Sequence, residues 1–362
     1  MIAPHEELVT LLLPNYNNAP VLDLFFKKLI KNTTYEDYEL VVVDDGSTDS
    51  SLKILERWQR SGMIERMRVI RNKHHGVVRT LNTGLRYAKG KYICRLDGDA
   101  VIETSNWLQK MLFFMKTDSE IGMVVAKIVF PHGTLHSAGR NVICPEGLHD
   151  RGTMVLEEIG KRTFDSLVSR VRDKGQFDDI TEVDTALGCC TLFRKDLADR
   201  IGGFDENYEP VWIEDDDFGL SVRRYNGKVF YFPEVKVTHH TGMRLPRNVS
   251  NAPFLFRMRM LKHRLMYALP PHYLQLLRRT LARFKMYTPK QIMPKETNQW
   301  RINVLKHHYE YWRGKWGFDP LNPDTEEIAL RWGDTEMCWA DNEDMKERGR
   351  EIVRQYYSRL RE

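Results

Sequence analysis

Residues 92 to 99 read Tyr92-Ile93-Cys94-Arg95-Leu96-Asp97-Gly98-Asp99, a short apolar run that ends abruptly in two carboxylates separated by a glycine. As a buried strand it delivers Asp97 and Asp99 to one side at its carboxyl end, because strand side chains repeat every two residues. Gly98 leaves room between them for a bulky ligand. Two hard oxygen ligands so placed suit Mn²⁺ or Mg²⁺, whose coordination is completed by phosphate oxygens and water. The partner they imply is a diphosphate.

The flanking sequence sets this strand in a repeating pattern. Leu8 to Leu13 is a compact apolar run closed by Pro14, and Asn15, Tyr16, Asn17 and Asn18 follow as a ligand-facing loop. Val21, Leu22, Leu24, Phe25, Leu29 and Ile30 have helical spacing. A second strand, Glu39 to Val43, again ends in acids and a glycine (Asp44-Asp45-Gly46), and Ser47, Thr48 and Asp49 are placed to cap the next helix. Met67 to Ile70 is a third strand, and Gly76 to Lys89 a helix stopped by Gly90. Strands alternating with helices through residues 1 to 100 predict an α/β fold, a parallel sheet wound with helices that binds ligands beyond the carboxyl ends of its strands. Asn15, Tyr16, Asn17, Asp44, Asp45, Asp97 and Asp99 then share one edge. For each acid the alternative is a helix cap or turn residue.

The second half is less regular. Trp107 to Met115 reads as a helix and Gly122 to Phe130 as a strand running into Pro131-His132-Gly133. Residues 140 to 182 read as loops with a helix near Phe164 to Val171. Thr191 to Phe193 is a brief strand, Lys195 to Arg200 a helical turn, and Glu214-Asp215-Asp216-Asp217 opens a helix toward Tyr225 with Gly227 as its stop. Lys228 to Tyr231 and Val235 to Thr238 read as two strands, the latter ending at His239-His240.

Composition bounds the answer. At 362 residues, 42% hydrophobic and 29% charged, the chain can bury a sizeable core. No apolar run has the length of a membrane span, and Met1 to Glu7 lacks a basic-then-apolar leader pattern, so the expected location is cytoplasmic. Five cysteines without a Cys-x-x-Cys spacing indicate neither a disulfide framework nor a zinc knuckle; Cys94, Cys189 and Cys190 read as small buried hydrophobes. No internal repeat is present.

Taken in order, the first strand with Pro14-Asn15-Tyr16-Asn17, then Val43 to Asp49, Asn82-Thr83-Gly84, Ala88 to Ile93 and Leu96 to Asp99, resembles the nucleotide-sugar half of family 2 glycosyltransferases, inverting enzymes of the GT-A (Rossmann-like nucleotide-diphospho-sugar transferase) fold. The resemblance continues through Gly188 to Lys195, Gly202 to Glu206 and Glu214 to Phe218 and ends near His239-x-x-Gly242. It implies that Pro14, Asn15 and Tyr16 line the base, with Asp44 or Asp45 accepting a hydrogen bond from it. Asp97, with Gly98 beside it, meets the ribose or sugar. Asp99 holds the divalent ion, Asp97 and His239 (or His240) standing near it. Asp215 is the general base, supported by Glu214. Two positions depart from the pattern: Leu81 stands where an arginine is common, Arg79 being the displaced candidate for phosphate, and Ser221 replaces an arginine after the acids.

The activity so implied is hexosyl or deoxyhexosyl transfer from a UDP-, dTDP- or GDP-linked nucleoside-diphosphate sugar to a hydroxyl acceptor, a glycan or lipid-linked glycan, in polysaccharide or glycoconjugate synthesis. The alternatives are the same fold glycosylating a modified nucleic acid, and a non-catalytic nucleotide-sugar-binding scaffold. A nucleotidyltransferase fits less well, because Pro14 to Pro20 is not a glycine-rich basic loop. Four acids at 214 to 217 also suit a helix first turn, and His239-His240 a surface pair; His132 and His136 read as acceptor-side loop residues.

The domain reading is a catalytic unit at 1–245, with a nucleotide-sugar half at 1–100 and an acceptor half at 101–245, and a helical region at 246–362. From Arg244 to Lys315 there are 16 lysines and arginines against two acids. This basic stretch reads as a peripheral membrane contact for a lipid-linked acceptor, as a groove for an acidic polymer, or as an appendage with a solvated basic face. An acidic segment follows Trp316-Gly317 and is expected to lie against the basic one, within the chain or between subunits of a homo-oligomer.

Overall fold

The computed structural model describes residues 7–131, 133–142, 149–150, 173–240, 295–320 and 323–362. The expected helix near Phe164 to Val171, His132, Gly242 and the basic stretch around Pro270-Pro271 lie outside the described residues.

Strands β1 (Val9–Asn15), β2 (Tyr38–Asp44), β3 (Met67–Arg71) and β4 (Tyr92–Leu96) pair in parallel, in the order β4-β1-β2-β3. Helices α1 (Ala19–Asn32), α2 (Ser51–Arg60) and α3 (Val77–Tyr87) connect them. Leu11 and Leu13 point into one core layer and Leu12 into the other; Val42 and Val41 divide likewise. Both faces of these strands are covered, so their sequences are continuous apolar runs rather than alternating ones.

A short β5 (Ala100–Ile102) and helix α4 (Trp107–Met115) lead into β6 (Ile121–Val129), β7 (Leu135–Ser137), the pair β8 (Arg140–Asn141) and β9 (His149–Asp150), and β10 (Thr181–Glu182). Next come β11 (Cys190–Arg194), α5 (Lys195–Ile201), α6 (Glu214–Arg224) and β12 (Lys228–His239). The main sheet runs β10-β12-β6-β11-β4-β1-β2-β3, with β11 antiparallel to both β4 and β6. The sheet is therefore mixed beyond the parallel half.

Four local expectations change. Pro14 does not close β1 but belongs to it, opposite Val43; pairing with β4 ends at Leu12, so the missing N–H costs no ladder bond. Asp97 and Asp99 are not placed by strand alternation. They sit in a turn after β4, where the Ala100 N–H donates to the Asp97 carbonyl at 2.9 Å. The two expected strands at 228–238 are one, β12, with a register break between Phe232 and Lys236 around Pro233, which has no N–H to give. Ser47 and Thr48 do not cap α2. They bind the β1–α1 loop instead: Asn17 N–H donates to Ser47 Oγ at 2.9 Å, and Thr48 N–H to Asn17 Oδ1 at 2.8 Å.

The C-terminal helices α7 (Lys295–Trp316), α8 (Thr325–Trp332) and α9 (Glu343–Arg359) pack on this unit. Lys315 Nζ donates to Asp205 and Asp217, each at 2.7 Å, and Trp316 Nε1 donates to Asp217 at 2.9 Å. Arg348 on α9 pairs with Asp118 and Glu120, and the Tyr356 hydroxyl donates to Glu234. Trp312, Trp316, Ile352 and Tyr356 are buried in the same two core layers as the sheet. In the acidic segment, Asp319 meets Arg313 of α7, whereas Glu336 meets Arg223 and Lys228 beside the sheet. No described helix is long and apolar enough to cross a membrane.

Candidate active site

Asn15 ends β1 directly opposite Asp44 at the end of β2, and both side chains are buried. The Asp44 carboxylate accepts from Asn15 Nδ2 at 2.7 Å, Ser47 N–H at 2.9 Å and Ser47 Oγ at 2.6 Å. Asp45 accepts from the backbone N–H groups of His75 and Gly76, at 2.9 and 3.0 Å, and lies 2.7 Å from His74 Nδ1. His74 stacks on Tyr16, with ring centroids 4.2 Å apart and 16° between planes. Of Pro14, Asn15 and Tyr16, only Tyr16 keeps exposed surface, so the platform at this edge is the Tyr16–His74 stack over Asp45.

Gly98 does not leave its space to a ligand. A Cβ there would stand 2.7 Å from Asn18 Nδ2 and 3.3 Å from Asn15 Oδ1, so the missing side chain lets the acidic turn close on the β1–α1 loop. Backbone ladders fix the rest of the turn. The Asp97 N–H donates to the Cys189 carbonyl at 3.0 Å, extending the β4–β11 pairing, and the His240 N–H donates to the Asp99 carbonyl at 2.8 Å, extending β5–β12.

These ladders bring His239 to the turn: its Nε2 lies 3.2 Å from Asp99 Oδ1. Between the two histidines, His239 presents its ring to Asp99 and His240 its backbone. Donor atoms of Asp97, Cys189 and His239 lie within 4.8 Å of one another, a compact set of the kind that holds a divalent ion. Cys189 is buried as expected, but its thiol faces His239 rather than a purely apolar wall, and burial beside Asp97 and Asp99 pushes the thiol well up.

Opposite the turn, α6 begins with its four acids on four different tasks. Glu214 is buried, with Arg95 Nη2 donating to it at 3.2 Å. Asp215 accepts from Gly188 N–H at 2.9 Å and from Asp216 N–H at 3.0 Å, and keeps 12% of its side chain exposed. Asp216 is gripped by Arg140 at 2.9 Å, and Asp217 anchors α7. The buried Arg95 also donates to Asp97 at 3.3 Å, so one guanidinium joins the acidic turn to the acidic helix. Gly188 packs directly on it, where a Cβ would overlap the guanidinium.

A model of the family described as Glycosyl transferase family 2 matches residues 10–202. The chain belongs to this family. An uncharacterised glycosyltransferase of Haemophilus influenzae is 35% identical over 115 residues, 32% of this chain and 34% of that protein. Chondroitin synthase of Pasteurella multocida is 26% identical over 222 residues, 59% of this chain and 23% of the synthase. The chain thus spans about a quarter to a third of the length of these relatives. Among solved structures, GalNAc-T7 with UDP, GalNAc and Mn²⁺ has a TM-score of 0.50 at 17% identity, over 66% of this chain and 44% of that one. The fold is GT-A, with a helical C-terminal part.

Within this glycosyltransferase fold, the structure gathers Asp97, Glu214 and Asp215 about Arg95, sets His239 against Asp99, and joins Tyr16 to Asp45 through His74. Arg79 stands apart from that group. It is half exposed, pairs with Glu206 at 3.1 Å, and lines a cleft with Lys73, His75 and Arg86. Four residues were missed. Arg95 carried a signal, a charge in the middle of an apolar strand, and His74 another, as a polar residue just past β3. Arg140 and Cys189 had none, because their partners lie about 50 or more residues away.

Glu214 carries a pH consequence. Burial, and then the Asp215 charge, push its carboxyl up to about 7 from 4.5, against the pull of Arg95. Between those values the folded chain holds a proton that the unfolded chain has released, so this residue's contribution to stability is full below 4.5 and lost as pH rises through about 7. At ~1.4 kcal/mol per pH unit the loss approaches about 3 kcal/mol. Glu214→Gln is expected to remove that slope, so urea midpoints of variant and wild type, compared below and above the window, should converge or cross. Parallel pH profiles would contradict the assignment.

Proposed function

We propose that this chain is an inverting glycosyltransferase that moves a sugar from a nucleoside-diphosphate donor to a hydroxyl acceptor, with Asp215 as general base and Asp97, Asp99 and His239 holding a divalent ion. The observation that carries the reading is the Arg95 bridge, which sets the acidic turn and the acidic helix N-terminus on one edge of the sheet. When bound, a divalent ion supplies positive charge where the leaving diphosphate gathers negative charge.

The chain's own residues divide the remaining work. Tyr16, stacked on His74, offers an aromatic face to the base, and the buried Asp45 holds the His74 ring and the following backbone in place beneath it. Asp215 is the better base of the acidic pair: it retains exposed surface, whereas Glu214 is buried against Arg95. Glu214 positions Arg95, and Arg95 positions Asp97. A single protein base acting in one displacement inverts the anomeric centre. The same reading places the catalytic unit at 1–245 and its donor half at 1–100. Chondroitin synthase among the relatives and the UDP and Mn²⁺ of GalNAc-T7 favour a glycan-building reaction, a UDP-linked donor and a Mn²⁺-like ion.

The test is a thermal-shift screen of UDP-, dTDP- and GDP-sugars with and without Mn²⁺. A ligand at 100 times its Kd stabilises the folded state by about 2.7 kcal/mol. One nucleotide sugar should raise Tm, and only with the ion present. No shift with any pair would count against catalysis by this chain.

A further inference from the structure

We infer that His136 is a positioning residue for the divalent-ion site: its Nδ1 accepts the Nδ1–H of His239 and so leaves the Nε2 lone pair of His239 bare toward Asp99. The inference rests on the proposal that Asp97, Asp99 and His239 hold an ion, and it gives His136, expected on an acceptor-side loop, a place behind the ligand histidine.

Ring geometry carries the argument. The His136 and His239 ring centres are 5.1 Å apart with 20° between planes, and their Nδ1 atoms are 3.1 Å apart. Nitrogens that stand 2.0 Å closer than the ring centres are corners aimed at each other, not faces laid on each other. The contact is therefore an in-line N–H···N hydrogen bond, in which one Nδ1 donates and the other accepts. At the other nitrogen of the same ring, His239 Nε2 lies 3.2 Å from Asp99 Oδ1.

A neutral imidazole carries one ring proton, and its partners decide which nitrogen holds it. An ion shared with Asp99 needs a bare Nε2, which sends the proton to Nδ1, where it needs an acceptor. The Cys189 thiol at 3.2 Å and His136 Nδ1 at 3.1 Å both face that nitrogen. Sulfur is a weak acceptor and an imidazole lone pair a good one, so the bond falls to His136. Outer partners of metal-bound histidines fix tautomer and ring orientation in this way.

The fold aims His136 at this place. Ser137 pairs with Ile128 and Leu135 with Val129, so His136 is an extra residue at a register break in β7. Such bulges re-aim a side chain, often beside an active site. Phe130 stacks on the His136 ring, with centres 4.1 Å apart, and holds its plane.

The experiment measures Mn²⁺ affinity of the full chain, from the electron paramagnetic resonance of the free ion, in wild type, His136→Leu, His136→Asn and Asp99→Ala. His136→Leu should lose ~10–100-fold, the usual weight of an outer partner, and His136→Asn, whose amide oxygen stands as many bonds from Cα as Nδ1 does, should recover to within ~3-fold of wild type. A second readout needs no variant. In wild-type protein labelled with ¹⁵N-histidine and loaded with Zn²⁺, the two Nδ1 nuclei should show scalar coupling across the hydrogen bond, with the proton on the His239 side. An affinity unchanged in His136→Leu, a loss that His136→Asn does not recover, or a loaded His239 that keeps its proton on Nε2 overturns the inference and leaves the ion site standing. No Mn²⁺ uptake by wild type, or an affinity that Asp99→Ala does not lower, overturns the ion proposal and this inference with it.

Discussion

Asp215→Asn is expected to lower kcat for sugar transfer by ~10²–10⁴-fold, the range a positioned general base contributes, while donor affinity stays near wild type. The amide is nearly isosteric with the carboxylate, and its oxygen can still accept from the Gly188 N–H, the 2.9 Å contact that orients the group. Its amide nitrogen then faces the Asp216 N–H and the Arg140 guanidinium, which lies 3.5 Å from the replaced oxygen, at a cost of about 1–3 kcal/mol. The variant should therefore fold, bind donor and ion, and fail at the proton transfer. Steady-state kinetics with donor binding measured separately decide the matter: a kcat within ~3-fold of wild type would remove Asp215 from the base role. A parallel fall in donor affinity would mean that the residue shapes the donor site.

Asp99→Ala is expected to abolish the ion-dependent part of donor binding, a loss of at least ~100-fold, since even outer-shell partners of a metal are worth 10–100-fold. The side chain is buried and faces His239 Nε2, whereas its carbonyl, which accepts from the His240 N–H, survives the substitution. The backbone of the turn is thus preserved, and the effect falls on ion and diphosphate. Calorimetric titration of donor into wild type and variant, with and without Mn²⁺, measures it. Equal donor affinity in wild type with and without the ion would sink the assignment before the variant is made.

Both predictions concern residues that the sequence singled out, and the reason is local. Apolar runs of strand length punctuated by Gly46, Gly90 and Gly98 fix the β1 to β4 succession through periodicity and turn chemistry alone. Acids at the ends of two of those runs follow from the same reading. Helix α4 and strand β6 were expected to within a residue of their observed bounds, because long single-character segments leave little choice of state.

What the sequence by itself determined, then, was the parallel half, the acidic turn, the acidic start of α6 and the resemblance that named the family. Only the tertiary structure decided how these parts meet. The insertion of β11 between β4 and β6 in antiparallel sense puts Cys189 against Asp97. The length of β12, continuous through its break at Pro233, carries His239 to Asp99. Arg95 finds Glu214 at a separation of 119 residues, and Asp217 finds Lys315 at 98. No local pattern encodes such contacts. A buried charge must find its partner wherever the packed chain brings one, because left alone in the core it would cost several kcal/mol.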